Sequence, residues 1–229
     1  MAWLRRNVVV ILGLLVLGYI LLPNIVVMVF SFNKPTGRYN YEWNHFSLDA
    51  WLDPCGSPGM CEALGLSIWV AVVASLVSTV IGTMAAFALG RYRFRGRAAT
   101  NLLVFLPMAT PEVVMGSSLL TLFVAMGMQS GQTTILIAHI LFTLSFVVTT
   151  VKARVASLDP ALEQAAADLY ATPSQAFWKV TFPLVAPGIG AGALLAFALS
   201  FDDYIVTNFN AGATTVTFPM YVWGAAQRG

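Results

Sequence analysis

Four ionisable side chains stand in stretches that are otherwise almost wholly apolar: Glu112, His139, Asp202 and Asp203. A carboxylate in hydrocarbon is costly, so each must face water, a cation or a hydrogen-bonding partner. Glu112 follows Pro107-Met108-Ala109-Thr110-Pro111, where two prolines are expected to break a helix and free backbone groups to line a cavity. No Lys or Arg falls inside any apolar stretch, so a pathway role for Glu112 is set against structural pairing with a cation from elsewhere. His139 reads as a packing hydrogen-bonder. Asp202 and Asp203 are adjacent, and successive residues point about 100° apart on a helix. One of them is therefore expected to face a substrate pathway beside Tyr204, and the other to cap, pair or reach the surface; Asp202 is the one assigned to the pathway. Fixed carboxylates of this kind select cations.

Bond-breaking chemistry finds no support. His45 and His139 are the only histidines, and no Gly-x-Ser-x-Gly elbow is present. No GxxxxGK[ST] loop is present either, so the chain does not hold ATP by that route. Cys55 and Cys61 flank a turn-rich Gly56-Ser57-Pro58-Gly59-Met60 and either close a small disulfide clip or remain two thiols. With His45 the one soft ligand nearby, no metal site is expected.

The elements that must position these groups are membrane helices. Hydrophobic residues make up 58% of the 229 and charged residues 10%, with a mean hydropathy of +0.78, which excludes an ordinary soluble domain. A spanning helix needs about 20 apolar residues. Five stretches qualify, at about 8–32, 63–89, 100–126, 133–151 and 184–206. The net charge of +2 carries no argument for nucleic acid. Position matters more: Arg5 and Arg6, then Arg91, Arg93, Arg95 and Arg97, then Lys152, Arg154 and Lys179 fall in alternate loops, which puts these loops and the N-terminus in the cytoplasm. Opposite them, Lys34 and Arg38 are offset by Glu42, Asp49, Asp53 and Glu62, among aromatics (Tyr39, Tyr41, Trp43, Phe46, Trp51) suited to the lipid–water interface. The first stretch is too long for a signal-peptide core and lacks a small-residue cleavage site.

Residues 157–183 leave the apolar pattern on the cytoplasmic side. Asp159 can N-cap a helix with Pro160 at its first position. Leu162, Ala165, Ala166 and Leu169 share one apolar face, while Glu163, Ala167 and Tyr170 turn elsewhere. Thr172-Pro173-Ser174-Gln175 is a capping box, and Pro183 is expected to stop the second helix.

This segment resembles the coupling loop of ABC importer permeases. That motif runs Glu-Ala-Ala, three residues, Gly, about nine more, then a hydrophobic residue, any residue and Leu-Pro. Here Gln164-Ala165-Ala166 takes the first position with Glu163 one residue early, Asp168 lies within the run, Tyr170 stands where Gly is usual, and Phe182-Pro183 replaces Leu-Pro. If the Gly serves a positive φ, Tyr170 carries a steric cost there or the bend differs. Ser31-Phe32-Asn33, Arg91-Tyr92-Arg93-Phe94-Arg95-Gly96, Pro111-Glu112-Val113-Val114-Met115 and Leu199-Ser200-Phe201-Asp202-Asp203-Tyr204 extend the resemblance over nearly the whole chain, toward the second permease subunits of spermidine/putrescine importers.

The resemblance implies a type I ABC importer-like, all-α integral membrane domain over 1–229 in a bacterial plasma membrane. It further implies a sister permease, two ATPase subunits that hold ATP and Mg, an extracytoplasmic binding protein and surrounding lipid as partners, with no cofactor in this chain and no nucleic acid. Pathway carboxylates carry over onto Glu112, where the family often has Asp, and Asp202. Ferric iron, thiamine or another small solute remains the alternative cargo, and a secondary transporter the alternative class. Such subunits usually have six spans, and this sequence ends at Gln227-Arg228-Gly229 after five.

In an oxidising exterior the two cysteines are expected to be bonded. Mass spectrometry of non-reduced, alkylated protein should then recover neither thiol modified; two fully alkylated cysteines would mean that the clip does not form.

Overall fold

The computed structural model describes residues 2–37 and 39–228, with side chains from Asn7 onward; Arg5, Arg6 and Arg38 of the charge argument lie outside the described side chains. Its elements run α1 (Ala2–Phe30), β1 (Asn33–Lys34), β2 (His45–Phe46), α2 (Asp49–Leu52), α3 (Met60–Arg91), α4 (Arg97–Ala109), α5 (Glu112–Ala125), α6 (Gln132–Ala156), α7 (Ala161–Asp168), α8 (Pro173–Ala176), a π-turn (Phe177–Thr181), α9 (Phe182–Asp202), α10 (Ile205–Asn210) and α11 (Phe218–Arg228). Among the described residues four helices are long and apolar enough to cross a membrane, and α4 with α5 makes a fifth if that bent pair counts as one span. Contacts divide the chain into two compact units, residues 1–61 with 225–229, and residues 62–224.

In the first unit α1 continues through Pro23, as membrane helices allow. It leads into a two-stranded antiparallel hairpin with Asn33 opposite Phe46 and Lys34 opposite His45. Asn33 is buried and organises the turn: its amide nitrogen donates to Asn40 Oδ1 and the Glu42 carbonyl, and its Oδ1 accepts from the backbone N–H groups of Asn44 and His45. Phe32 stacks on Phe46 at 5.9 Å and on Trp51 at 5.4 Å between ring centroids. A disulfide joins Cys55 to Cys61, whose Cα atoms are 5.4 Å apart, a spacing ordinary for such a bridge.

The second unit is organised on α6. One face packs with α3 and α9 through Ala86, Leu89, Val147, Val151, Val155, Val185 and Ala196. Another gathers Phe123 of α5 and Val206 of α10 around Ala138. Small residues let the helices approach: a Cβ on Gly82 would stand 2.7 Å from Val147 Cγ1. Beside this crossing, Ser78 and Thr143 hydroxyls hydrogen-bond at 2.6 Å, so the contact is polar and tight at once.

Basic residues tie one end of this unit together. Arg97 donates to the Leu89 carbonyl at 2.7 Å, Arg154 to the Leu184 carbonyl at 2.8 Å, and Lys152 to Asn101. These are the positive residues that the sequence assigns to one side of the membrane, used here to cap and join helix ends.

Two expectations need correction. Pro183 does not stop a helix: α8, the π-turn and α9 form one apolar run from Pro173 to Asp202. The π-turn widens the helix immediately before the proline, with Phe182 N–H donating to the Phe177 carbonyl, and it accommodates a ring that has no N–H to give. The fifth span ends at Asp202 rather than Val206, because Asp203 is extended (ψ 124°) and a separate helix follows. The apolar face that α7 presents is left open within this unit, with Leu162 42% and Leu169 82% exposed.

Replacing Gly82 by Leu should force α3 and α6 apart and destabilise the domain by about 1–3 kcal/mol. The check is the thermal unfolding midpoint in detergent against that of G65L, because Gly65 has nothing within 4 Å of its Cβ position. Equal midpoints would show that the crossing is not close-packed.

Candidate functional site

Two helix breaks carry the three acidic residues. At the first, α4 ends where the Thr110 N–H and Oγ1 both donate to the Leu106 carbonyl, at 2.9 and 2.7 Å. Pro111 cannot donate and holds an extended ψ of 134°, so the chain turns and α5 leaves at 110° to α4. Glu112 is the first residue of α5 and its side chain is exposed. It sits in the first turn of that helix, at the positive end of the helix dipole. The sequence places it in mid-segment; the structure places it at a helix start, open on this chain's surface.

The second break separates Asp202 from Asp203. Asp202 ends α9 and is exposed. Asp203 turns inward and caps α10: Oδ1 accepts from Val206 N at 3.3 Å, and Oδ2 accepts from Thr207 N at 2.7 Å and Thr207 Oγ1 at 2.8 Å. His139 of α6 closes the arrangement. Its Nδ1 lies 2.7 Å from Ser200 Oγ and its Nε2 lies 2.9 Å from Thr207 Oγ1 and 3.4 Å from Asp203 Oδ2. The His139 and Asp203 side chains are 1% and 4% exposed, so this cluster lies in the packed interior, and Asp203 opens to no pathway on this chain.

Tyr204 is half-buried with its ring 5.3 Å from that of Trp223, and Phe201 stacks between Phe197 and Phe218 at 6.0 and 6.1 Å. Rings therefore stand on both sides of the Asp202–Asp203 break in sequence.

The helices that follow the two breaks pack on one another. Gly116 of α5 lies against Phe209, where a Cβ would meet the ring at 2.8 Å, and Asn210 Nδ2 donates to the Val206 carbonyl at 2.8 Å and the Gly116 carbonyl at 3.4 Å. Glu112 stands one helical turn before Gly116 within α5, whereas Asp202 precedes Val206 by four residues across the break at Asp203. Among the described residues no group of three or more His, Cys, Asp or Glu is placed to hold a metal.

The 157–183 segment forms the helices its caps predict. Asp159 Oδ1 accepts from Ala161 N at 2.9 Å, and Thr172 and Gln175 exchange both bonds of the capping box at 3.3 and 3.0 Å. Tyr170 adopts φ +61°, and α7 closes with the Ala171 N–H on the Ala166 carbonyl and the Tyr170 N–H on the Ala167 carbonyl, the paired bonds of a left-handed helix end. A tyrosine thus takes the glycine conformation at a cost of about 1–2 kcal/mol. The residue is 95% exposed. Gln164, Ala165, Asp168 and Pro183 are exposed too, while Glu163 and Ala166 are half-buried. Glu163 turns toward the unit's own helices: Oε2 pairs with Arg91 at 2.9 Å and Oε1 accepts from Thr181 Oγ1 at 2.5 Å.

The pairing of His139 with Asp203 is not evident from sequence order. Its signal is the spacing of Ser200, Asp203 and Thr207 at i, i+3 and i+7, which puts three polar groups on one side of a helix-like turn.

Residues 78–224 match the family described as "Binding-protein-dependent transport system inner membrane component". The spermidine/putrescine transport system permease protein PotC of Haemophilus influenzae is 33% identical over 93% of this chain and 82% of its own length. The putrescine transport system permease protein PotI of Escherichia coli is 34% identical over 94% of this chain and 79% of its own length. In fold, the chain matches the crystal structure of a bacterial ABC transporter involved in the import of the acidic polysaccharide alginate, with a TM-score of 0.70 and 19% identity over 97% of this chain and 80% of the other. With breaks and caps of a membrane transport domain and with these matches, the chain belongs to the binding-protein-dependent transport system inner membrane components, the permease subunits of ABC importers.

Proposed function

We propose that this permease forms half of a pathway for polyamines such as putrescine and spermidine, with Glu112 and Asp202 as the carboxylates that meet the cation. The supporting observation is that both carboxylates are exposed at helix breaks whose following helices pack together, in a chain similar to putrescine and spermidine/putrescine permeases. A carboxylate attracts an ammonium by about 4 kcal/mol at 4 Å and an effective dielectric of 20. Rings such as Phe201, Tyr204 and Trp223 add about 0.5–2 kcal/mol each where a cation passes their faces. Attractions of this size favour passage over tight capture, which suits a pathway fed by a separate binding protein.

On this reading the N-terminus and residues 157–183 are cytoplasmic, a sister permease supplies the other half of the pathway, and two ATPase subunits holding ATP and Mg drive the cycle. The exposed Leu162, Ala165 and Leu169 face with the Tyr170 ring is the surface offered to the ATPase. Closure of the ATPase pair would move the attached helices as rigid bodies and switch the cavity from one side to the other.

In the complex reconstituted with its partners, E112Q and D202N should each lower putrescine uptake by at least about tenfold, because losing even a third of an attraction of about 4 kcal/mol is a factor of ten. Assembly should be intact. D203N should instead lower the thermal midpoint and the yield of assembled complex, because it weakens the α10 cap and leaves His139 short of a partner. Normal uptake by both E112Q and D202N would sink the pathway reading, and thiamine or ferric iron uptake in their place would redirect the substrate.

A bulky charge on the exposed α7 face should uncouple transport from ATP hydrolysis. A165R should insert normally yet lose uptake or ATPase association; unchanged uptake and association would show that this face is not the coupling surface.

A further inference from the structure

A cavity of about 1240 Å³ separates the C-terminal half of α3 from the segment that runs from α7 into the start of α9, with Met84 and Phe87 on one side and Ala167 and Phe177 on the other. Two side-chain contacts among the described residues cross it. One is the ring pair Phe87–Phe177, with centroids 5.4 Å apart. The other is the Arg91–Glu163 ion pair at 2.9 Å. The second oxygen of the same carboxylate accepts from Thr181, which is 2% exposed within the π-turn. One side chain therefore joins the end of α3, the first turn of α7 and the widened turn that leads into α9.

The two contacts differ in kind. A ring pair is apolar and tolerates sliding, whereas a charge-assisted hydrogen bond fixes distance and direction. Hydrogen-bonded turns at Ser157–Pro160 and Tyr170–Thr172 set α7 off from α6 and α8 as a separate short helix. A push applied to the exposed face of α7 reaches α3 through Glu163 and Arg91, and α9 through Glu163 and Thr181. Without the carboxylate, the polar links from α7 to Arg91 and to Thr181 are both lost.

We propose that Glu163 is a positioning residue of the coupling loop: it locks α7 to α3 and to the π-turn, so that the two spans move with the loop as one body. The proposal rests on the reading of 157–183 as the ATPase-contacting loop, and it assigns Glu163 a role inside the chain rather than on the ATPase surface.

The test uses the full complex in liposomes, with labelled putrescine uptake and ATP hydrolysis measured on the same vesicles. E163R and R91E should each lower uptake per ATP hydrolysed by about tenfold, the scale of one lost charge-assisted hydrogen bond, with the ATPase still bound. The double variant E163R/R91E restores opposite charges, and an arginine at 163 can donate to the Thr181 hydroxyl, so uptake per ATP should return to within about twofold. Failure of the swapped pair to recover in an assembled complex overturns the proposal, as does a normal ratio in either single variant. If the swapped pair does not assemble, T181V against T181S decides: the hydroxyl-bearing variant should keep the ratio and T181V should lower it, and equal ratios overturn the lock. A165R separates the two readings. Uncoupling by A165R with normal ratios in the Glu163 variants removes the lock and keeps the coupling surface, whereas normal behaviour of A165R removes the coupling surface itself.

Discussion

A carboxylate withdrawn from water must be given a complete set of partners, and the centre of this domain is arranged around that demand at Asp203. Two backbone N–H groups at the start of α10, the Thr207 hydroxyl and the His139 ring surround it. Removing one member would leave a charge or a donor unsatisfied in the interior, where the loss is larger than the net gain from making the bond. The arrangement therefore holds α9, α10 and α6 in one register. It also fixes where α9 ends, and with it the direction of Asp202.

The same constraint explains why the chain is irregular only in certain places. In an apolar surrounding a helix can stop only where its free backbone groups are met. At Thr110 the Leu106 carbonyl near the end of α4 accepts from a backbone N–H and a hydroxyl together. At Asn210 the carbonyl that ends α10 accepts from Gly131 N at 3.2 Å and Thr134 Oγ1 at 2.8 Å, so the start of α6 serves the end of α10. The α10 end is thus sealed by a neighbouring helix, and α5 packs directly on α10. A transport domain can thus carry exposed carboxylates at breaks without losing the order around them.

The 157–183 segment shows how a local conformational cost is offset. Tyr170 takes a left-handed conformation that disfavours a side chain, yet the paired hydrogen bonds of the helix end, the Thr172–Gln175 box and the Glu163 attachments fix the turn on both sides. What the tyrosine adds is a large ring presented to whatever lies outside, on the same exposed surface as Leu169. The π-turn plays a comparable part next to Pro183, spreading the irregularity of a missing N–H over one wide turn instead of a break.

Much of this could be read along the chain, because it depends on properties that neighbours in sequence set among themselves. Apolar length fixed the membrane helices, paired prolines fixed the break before Glu112, and Asp159, Thr172 and Gln175 fixed the caps, since a cap closes within three or four residues. The tertiary structure alone decided the rest. Whether Asp202 or Asp203 turns inward depends on His139, sixty-odd positions away on another helix, and Glu163 faces its own chain because Arg91 waits at the end of α3. Continuation of the helix through Pro183 likewise needed the π-turn, which periodicity does not announce. Local hydrogen bonds and hydrophobic length are short-range quantities, but the direction of a charged side chain is set by which distant partner relieves its burial, and only packing brings that partner into place.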